Sequence, residues 1–151
     1  MNDFDRSLPM LLYRALDLIM PRFRAIFGGF GLTEQQWRVL RVLWQRDGRA
    51  LLELADATLI SAPSMVGVVD RLARSGLVER RRSQSDRRVV RVFLTGRGRD
   101  LEEQVTPLVD AAYADLRGSV GEGDWEVLLG ALARLNAGLA DLDRIDEVVN
   151  R

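Results

Sequence analysis

"SAPSMVGVVDRLARSGLVERRRSQSDRRVVRVFLTGRG", residues 61–98, changes its hydrophobic period halfway along. Ser61 stands where a helix N-cap belongs, Pro63 suits a first helical turn, where its missing N–H costs nothing, and Gly76 is a stop with Leu77 as the closing apolar contact. Between those signals a helical wheel puts Ala62, Val66, Val69, Leu72 and Ala73 on one side, and Ser64, Gly67, Val68, Arg71 and Arg74 on the other. The first set is expected to be buried and the second to be free. Residues 77–82 and 89–94 then read as two strands rich in Val, Leu and Phe, joined by the polar run SQSDRR.

The flanks extend the pattern. LTEQQW at 32–37 carries a capping box, Thr33 with Gln36, and a hydrophobic staple, Leu32 with Trp37, so a helix is expected from there to about Gln45. Asp47-Gly48 reads as a turn, and LLELADATL at 51–59 as a short helix. Upstream, Leu8, Leu11, Leu12, Ala15, Leu18, Ile19 and Ile26 recur at helical spacing to about Phe27, with Pro21 as an expected kink and GGFG at 28–31 as the end. Downstream, helices are expected over about 97–117, with a bend at Pro107, and about 124–143.

The formal charge is zero, yet it is unevenly placed. Residues 61–100 hold ten arginines against four acids, and residues 101–151 hold four against eleven. Such asymmetry suits one surface for a polyanion and another that does not meet it. All 22 basic residues are arginine, and the chain lacks cysteine and histidine. This removes disulfides, thiolate nucleophiles, the usual zinc sites and the commonest general base near neutral pH. Glu34 and Glu53 belong to no recognisable pair of catalytic carboxylates, and no cofactor or metal is implied; an enzyme is not expected. No membrane span or signal segment is recognisable, which points to a cytoplasmic protein.

Three helices followed by a basic hairpin form the order of a winged helix-turn-helix, so the fold class expected is mainly α, with flanking helices. The fourth helix of the chain would enter the major groove of double-stranded DNA. Ser64 and Gly67 would let its axis approach the base edges, and Arg71 would reach a phosphate or a guanine. In the wing, Arg80, Arg81 and Arg82 would track phosphates, Arg87 and Arg88 would reach a narrow minor groove, and Asp86 would hold a neighbouring arginine in one rotamer. The alternative is a winged-helix protein-interaction module that binds no DNA.

The same residues, 61–98, resemble the core of the MarR family of transcription regulators, whose Asp-x-Arg-x5-Leu-Thr signature is matched at Asp86, Arg88, Leu94 and Thr95. The resemblance covers nearly the whole chain, and LTEQQWRVLRVL at 32–43 is similar to the branch holding the homoprotocatechuate-degradation regulators. It implies a single MarR-like domain over 1–151, with a DNA-binding lobe at about 33–96. Residues of about 5–30 and 97–145 would interlock two copies into a homodimer. It also implies a pseudo-palindromic operator and a repressor released by a small aromatic carboxylate or phenol. Tyr13, Arg14, Trp37, Arg38 and Arg41 are the candidate ligand contacts, arginine to pair a carboxylate and aromatic rings to stack. Regulators of aromatic acids in the family often carry an Arg-Glu pair in the first helix, where this chain has Leu16-Asp17.

Overall fold

The computed structural model describes residues 4–84, 86 and 88–149. The chain divides into two compact units, residues 1–109 and 110–151. In the first, a short 3-10 turn precedes α1 (Leu8–Gly29), then come α2 (Glu34–Gln45), β1 (Arg49–Ala50), α3 (Leu51–Thr58), α4 (Ala62–Arg74), β2 (Val78–Arg82) and β3 (Val90–Leu94). The division falls inside α5 (Gly96–Val120), and α6 (Glu122–Val149) completes the second unit.

Local chemistry places the ends. Thr33 and Gln36 form the expected capping box, Gln36 N–H donating to Thr33 Oγ1 at 3.2 Å and Thr33 N–H to Gln36 Oε1 at 2.8 Å. Leu32 and Trp37 are both buried beside it. Gly76 closes α4 at φ +71° with Leu77 buried beyond it, the left-handed position that glycine occupies without a Cβ clash. Gly28 and Gly29 stay helical, and the left-handed residue that ends α1 is Gly31, φ +68°. Pro21 and Pro107 lie inside helices that continue past them.

The core of the first unit lies where α2, α3 and α4 meet. Val39, Leu40, Leu43, Leu54, Met65, Val69 and Leu72 have no accessible surface there. α3 and α4 meet at 106°, within the roughly 90–120° of a helix-turn-helix pair. Val68 is also fully buried, which corrects the expectation that it lies on the outer face. The buried stripe is Met65, Val68, Val69 and Leu72, at helical spacings of three and four, so the wheel is turned: Ala62 and Val66 lie outside and Ala73 is partly covered.

The sheet holds a strand that the sequence pattern did not reveal. The strand order is β1-β3-β2, with Arg49 opposite Val92 and Ala50 opposite Arg91. β2 and β3 are antiparallel, with Val78 opposite Leu94 and Arg82 opposite Val90. Asp47 anchors this sheet: its Oδ1 accepts from the amides of Gly48 and Leu94, both at 2.9 Å, and its Oδ2 faces Arg99 at 3.1 Å. The Trp44 indole donates to the carbonyl of Gly98 at 3.0 Å. Gly98 is packed so tightly on the carbonyl of Leu77 that a Cβ could not fit.

In the second unit, Gly121 at φ +97° turns the chain from α5 into α6. The guanidinium of Arg117 lies 5.9 Å from the ring centre of buried Trp125 and 3.8 Å from Glu122. α6 starts two residues before the expected Asp124 and runs beyond Asp143.

Candidate nucleic-acid interface

The outer face of α4 is open. Pro63, Ser64, Arg71 and Arg74 are exposed and Gly67 is partly so. Ser61 occupies the N-cap position with extended backbone, but its hydroxyl donates to Ser64 Oγ at 2.9 Å and caps no helical amide. Ala62 and Val66 add an apolar margin to the face, where the wheel had placed Val68.

The wing leaves the core immediately after α4. Of β2, Val78 alone is buried, and Glu79, Arg80, Arg81 and Arg82 all face solvent. Arg81 stands opposite Arg91 in the ladder, an arrangement that like-charge repulsion disfavours. Neighbouring groups relieve it. Arg81 pairs with Glu79 and lies 4.7 Å over the Phe93 ring, while Arg91 donates to the Gly48 carbonyl at 2.9 Å and faces Glu53 at 3.7 Å. Glu53 also accepts from the Ala50 amide at 2.7 Å. That backbone bond, against opposing desolvation and with help from Arg91, Arg46 and Arg49, holds its carboxyl below its ordinary value.

The pairings sort the arginines. Arg80 forms an ion pair with Asp70 of α4, which ties the first strand of the wing to the helix. Asp70 was not singled out in the sequence; a lone acid on an otherwise basic helix face was the available signal. Among the described residues no ion pair involves Arg71, Arg74 or Arg82, and Arg74 Nε reaches the Asp70 carbonyl at 3.4 Å. Asp86 Oδ1 accepts the Arg88 amide at 3.0 Å and faces its Nε at 3.4 Å. It therefore builds the turn while the Arg88 side chain stays 93% exposed. Arg87 lies outside the described residues.

The remaining signature positions are structural. Leu94 is buried, and Thr95 Oγ1 donates to the Gly76 carbonyl at 2.7 Å and accepts from Gly98 N–H at 3.1 Å, capping α5 and tying it to the end of α4.

The candidate ligand residues do not gather as one site within the chain. Trp37 is buried, stacked on Phe27 at 4.4 Å and meeting Trp44 edge-on at 5.3 Å, with the Arg41 guanidinium 6.0 Å from its centre. Arg38 donates to the Thr58 carbonyl at 2.9 Å and lies 4.0 Å from Glu34. Tyr13, 70% exposed, and Arg14 lie far back on α1, roughly 20 Å along its axis from Phe27. A cavity of about 440 Å³ lies elsewhere, lined by Phe30, Leu32, Leu77 and Leu101 with Arg97 and Asp100, and includes none of the five.

Residues 32–90 match the model of the MarR family. The homoprotocatechuate degradative operon repressor of Escherichia coli is 34% identical over 110 residues, 73% of this chain and 74% of that protein. The chain belongs to the MarR family. Among solved MarR-like structures, the transcriptional repressor CouR, bound to a 23-mer DNA duplex, is 31% identical with a TM-score of 0.83, over 90% of this chain and 96% of that one. NadR in complex with 4-hydroxyphenylacetate is 31% identical with a TM-score of 0.76, over 89% and 96%. The likeness to the homoprotocatechuate branch thus extends beyond the motif at 32–43.

Proposed function

We propose that this protein is a homodimeric, DNA-binding transcription repressor that a small aromatic carboxylate or phenol releases from a pseudo-palindromic operator. The carrying observation is that the open face of α4 is joined to the wing by the Arg80–Asp70 pair, with Arg71, Arg74, Arg82 and Arg88 exposed on the two elements. DNA-bound CouR supports the partner, and the NadR complex supports the effector class. α1 supports the dimer. Leu8, Leu11, Leu12, Tyr13, Leu16 and Leu18 are exposed in the single chain, more apolar surface than a soluble monomer normally leaves bare. α5 and α6 supply further exposed apolar side chains, including Leu108, Tyr113, Val127, Leu128 and Leu139. Two-fold symmetry then sets half-sites about one helical turn apart.

Binding and release are its whole activity, with no catalytic step, and it works in the cytoplasm. The effector acts by preferring the conformation whose recognition helices are mis-spaced for the operator. Arg41, exposed beside Trp37, is the cation best placed to pair a carboxylate.

A gel shift with genomic fragments at rising salt tests the reading. Four unpaired or solvent-facing arginines per protomer, eight per dimer, give a slope of about −7 for log affinity against log salt. Absence of binding, or binding indifferent to salt, leaves a protein-interaction module as the better account.

A further inference from the structure

The cavity of about 440 Å³ is lined wholly from the first unit, by the link between α1 and α2, the end of α4 with the residues after it, and the first turns of α5. Its size falls in the range of small-molecule sites, roughly 300–1,000 Å³. Leu32, Leu77 and Leu101 are buried and form an apolar wall, with half-buried Phe30 beside them. Four polar side chains complete the lining. Two of them are committed to backbone: Ser75 Oγ donates to the Arg71 carbonyl at 3.1 Å, and Gln104 Nε2 donates to the Asp100 carbonyl at 3.2 Å. The other two carry charge. Arg97 and Asp100 stand one turn apart on α5, a spacing at which opposite charges can pair, yet among the described residues neither takes part in an ion pair, while the neighbouring Arg99 is held by Asp47. The Arg97 guanidinium is turned toward the end of α4, its Nη1 4.0 Å from where a β-carbon on Gly76 would stand. One cation and one anion, both uncommitted, therefore border a wall of leucines.

We propose that this cavity binds a small amino acid with an aliphatic side chain, its carboxylate on Arg97, its ammonium on Asp100 and its side chain against Leu32, Leu77 and Leu101. A plain carboxylate meets the repulsion of Asp100 and a plain amine that of Arg97, whereas a zwitterion meets both attractions at once. The hydrophobic wall favours an aliphatic body over a polar one. None of Tyr13, Arg14, Trp37, Arg38 and Arg41 lines the cavity, so its occupant is additional to the aromatic effector. The inference does not rest on the DNA-binding reading.

The test is titration of the full-length protein, isotope-labelled at its leucine methyl groups, with L-leucine, with isocaproate, which lacks the ammonium, and with isoamylamine, which lacks the carboxylate. L-leucine should bind saturably and shift the methyl signals of Leu32, Leu77 and Leu101. Isocaproate and isoamylamine should each bind about tenfold more weakly or worse, for want of one charge-assisted contact. Arg97→Gln and Asp100→Asn lie at exposed positions, so both variants should keep the wild-type unfolding transition while losing about tenfold or more in affinity for L-leucine. No saturable shift with L-leucine, isocaproate binding as tightly as L-leucine, or full affinity in both variants overturns the inference. Gel shifts on the same samples report separately on DNA binding.

Discussion

Removing the Asp47 carboxylate should loosen the base of the wing, and the cost can be worked bond by bond. Oδ1 accepts the amides of Gly48 and Leu94, each at 2.9 Å, and Leu94 is buried. In Asp47→Ala the Leu94 amide is left facing protein without a partner, at about 1–2 kcal/mol, and the Gly48 amide, nearer solvent, loses about 0.5–1 kcal/mol. The Arg99 pair is mostly exposed and adds a few tenths at most. The total is about 2–3 kcal/mol, which lowers Tm by roughly 5–10 °C for a chain of this size. Asp47→Asn retains an oxygen that can accept both amides, so it should cost under about 1 kcal/mol. Thermal unfolding at one fixed protein concentration, since association shifts Tm, gives the comparison, and amide exchange should show Leu94 losing protection in the alanine variant alone. If alanine and asparagine prove equally mild, the carboxylate is not what holds β3 to the end of α2.

Leu59 caps α3 with φ 54° and ψ 35° and is 89% exposed; Leu59→Gly should relieve about 1 kcal/mol of left-handed strain, partly offset by a freer unfolded chain, and raise Tm by about 1–2 °C. A fall in Tm would mean that a second copy covers the side chain. Arg88→Ala leaves the Asp86–amide bond of the turn in place, so the unfolding transition should not move, while the salt slope of operator binding should drop by about two for the dimer; an unchanged slope removes Arg88 from the interface. Glu53 is held below its ordinary pKa by the Ala50 amide and Arg91, so its ionised form contributes stability at neutral pH that is lost as pH falls through the depressed value. The gap in urea midpoint between wild type and Glu53→Gln should accordingly shrink below the usual carboxylate range, and a gap constant with pH contradicts that assignment.

Much of the local structure of the candidate interface was legible in the sequence. Caps, stops and period are properties of a few adjacent residues, so Thr33, Gln36 and Gly76 announced their helix ends, and the two strands and the open arginines of α4 followed from spacing alone. The family signature was legible in the same way, although several of its residues build the wing. Asp86 shapes the turn, Leu94 fills the core and Thr95 caps α5.

By itself, then, the chain's order of residues determined which segments are helix or ribbon, where they stop and where positive charge collects, because these depend on neighbours within one or two turns. The tertiary structure alone decided the rest. Valines at 66, 68 and 69 leave the wheel of α4 undecided by about one residue, and in the packed lobe Met65 and Val68 are buried while Val66 is exposed. A two-residue strand has no period to read, so β1 exists only through its pairing with β3. The pairings of Arg80 with Asp70 and of Asp47 with Leu94 join residues separated by 10 and 47 positions. Each depends on how two elements cross, a geometry that no local pattern encodes and that burial of a shared core selects.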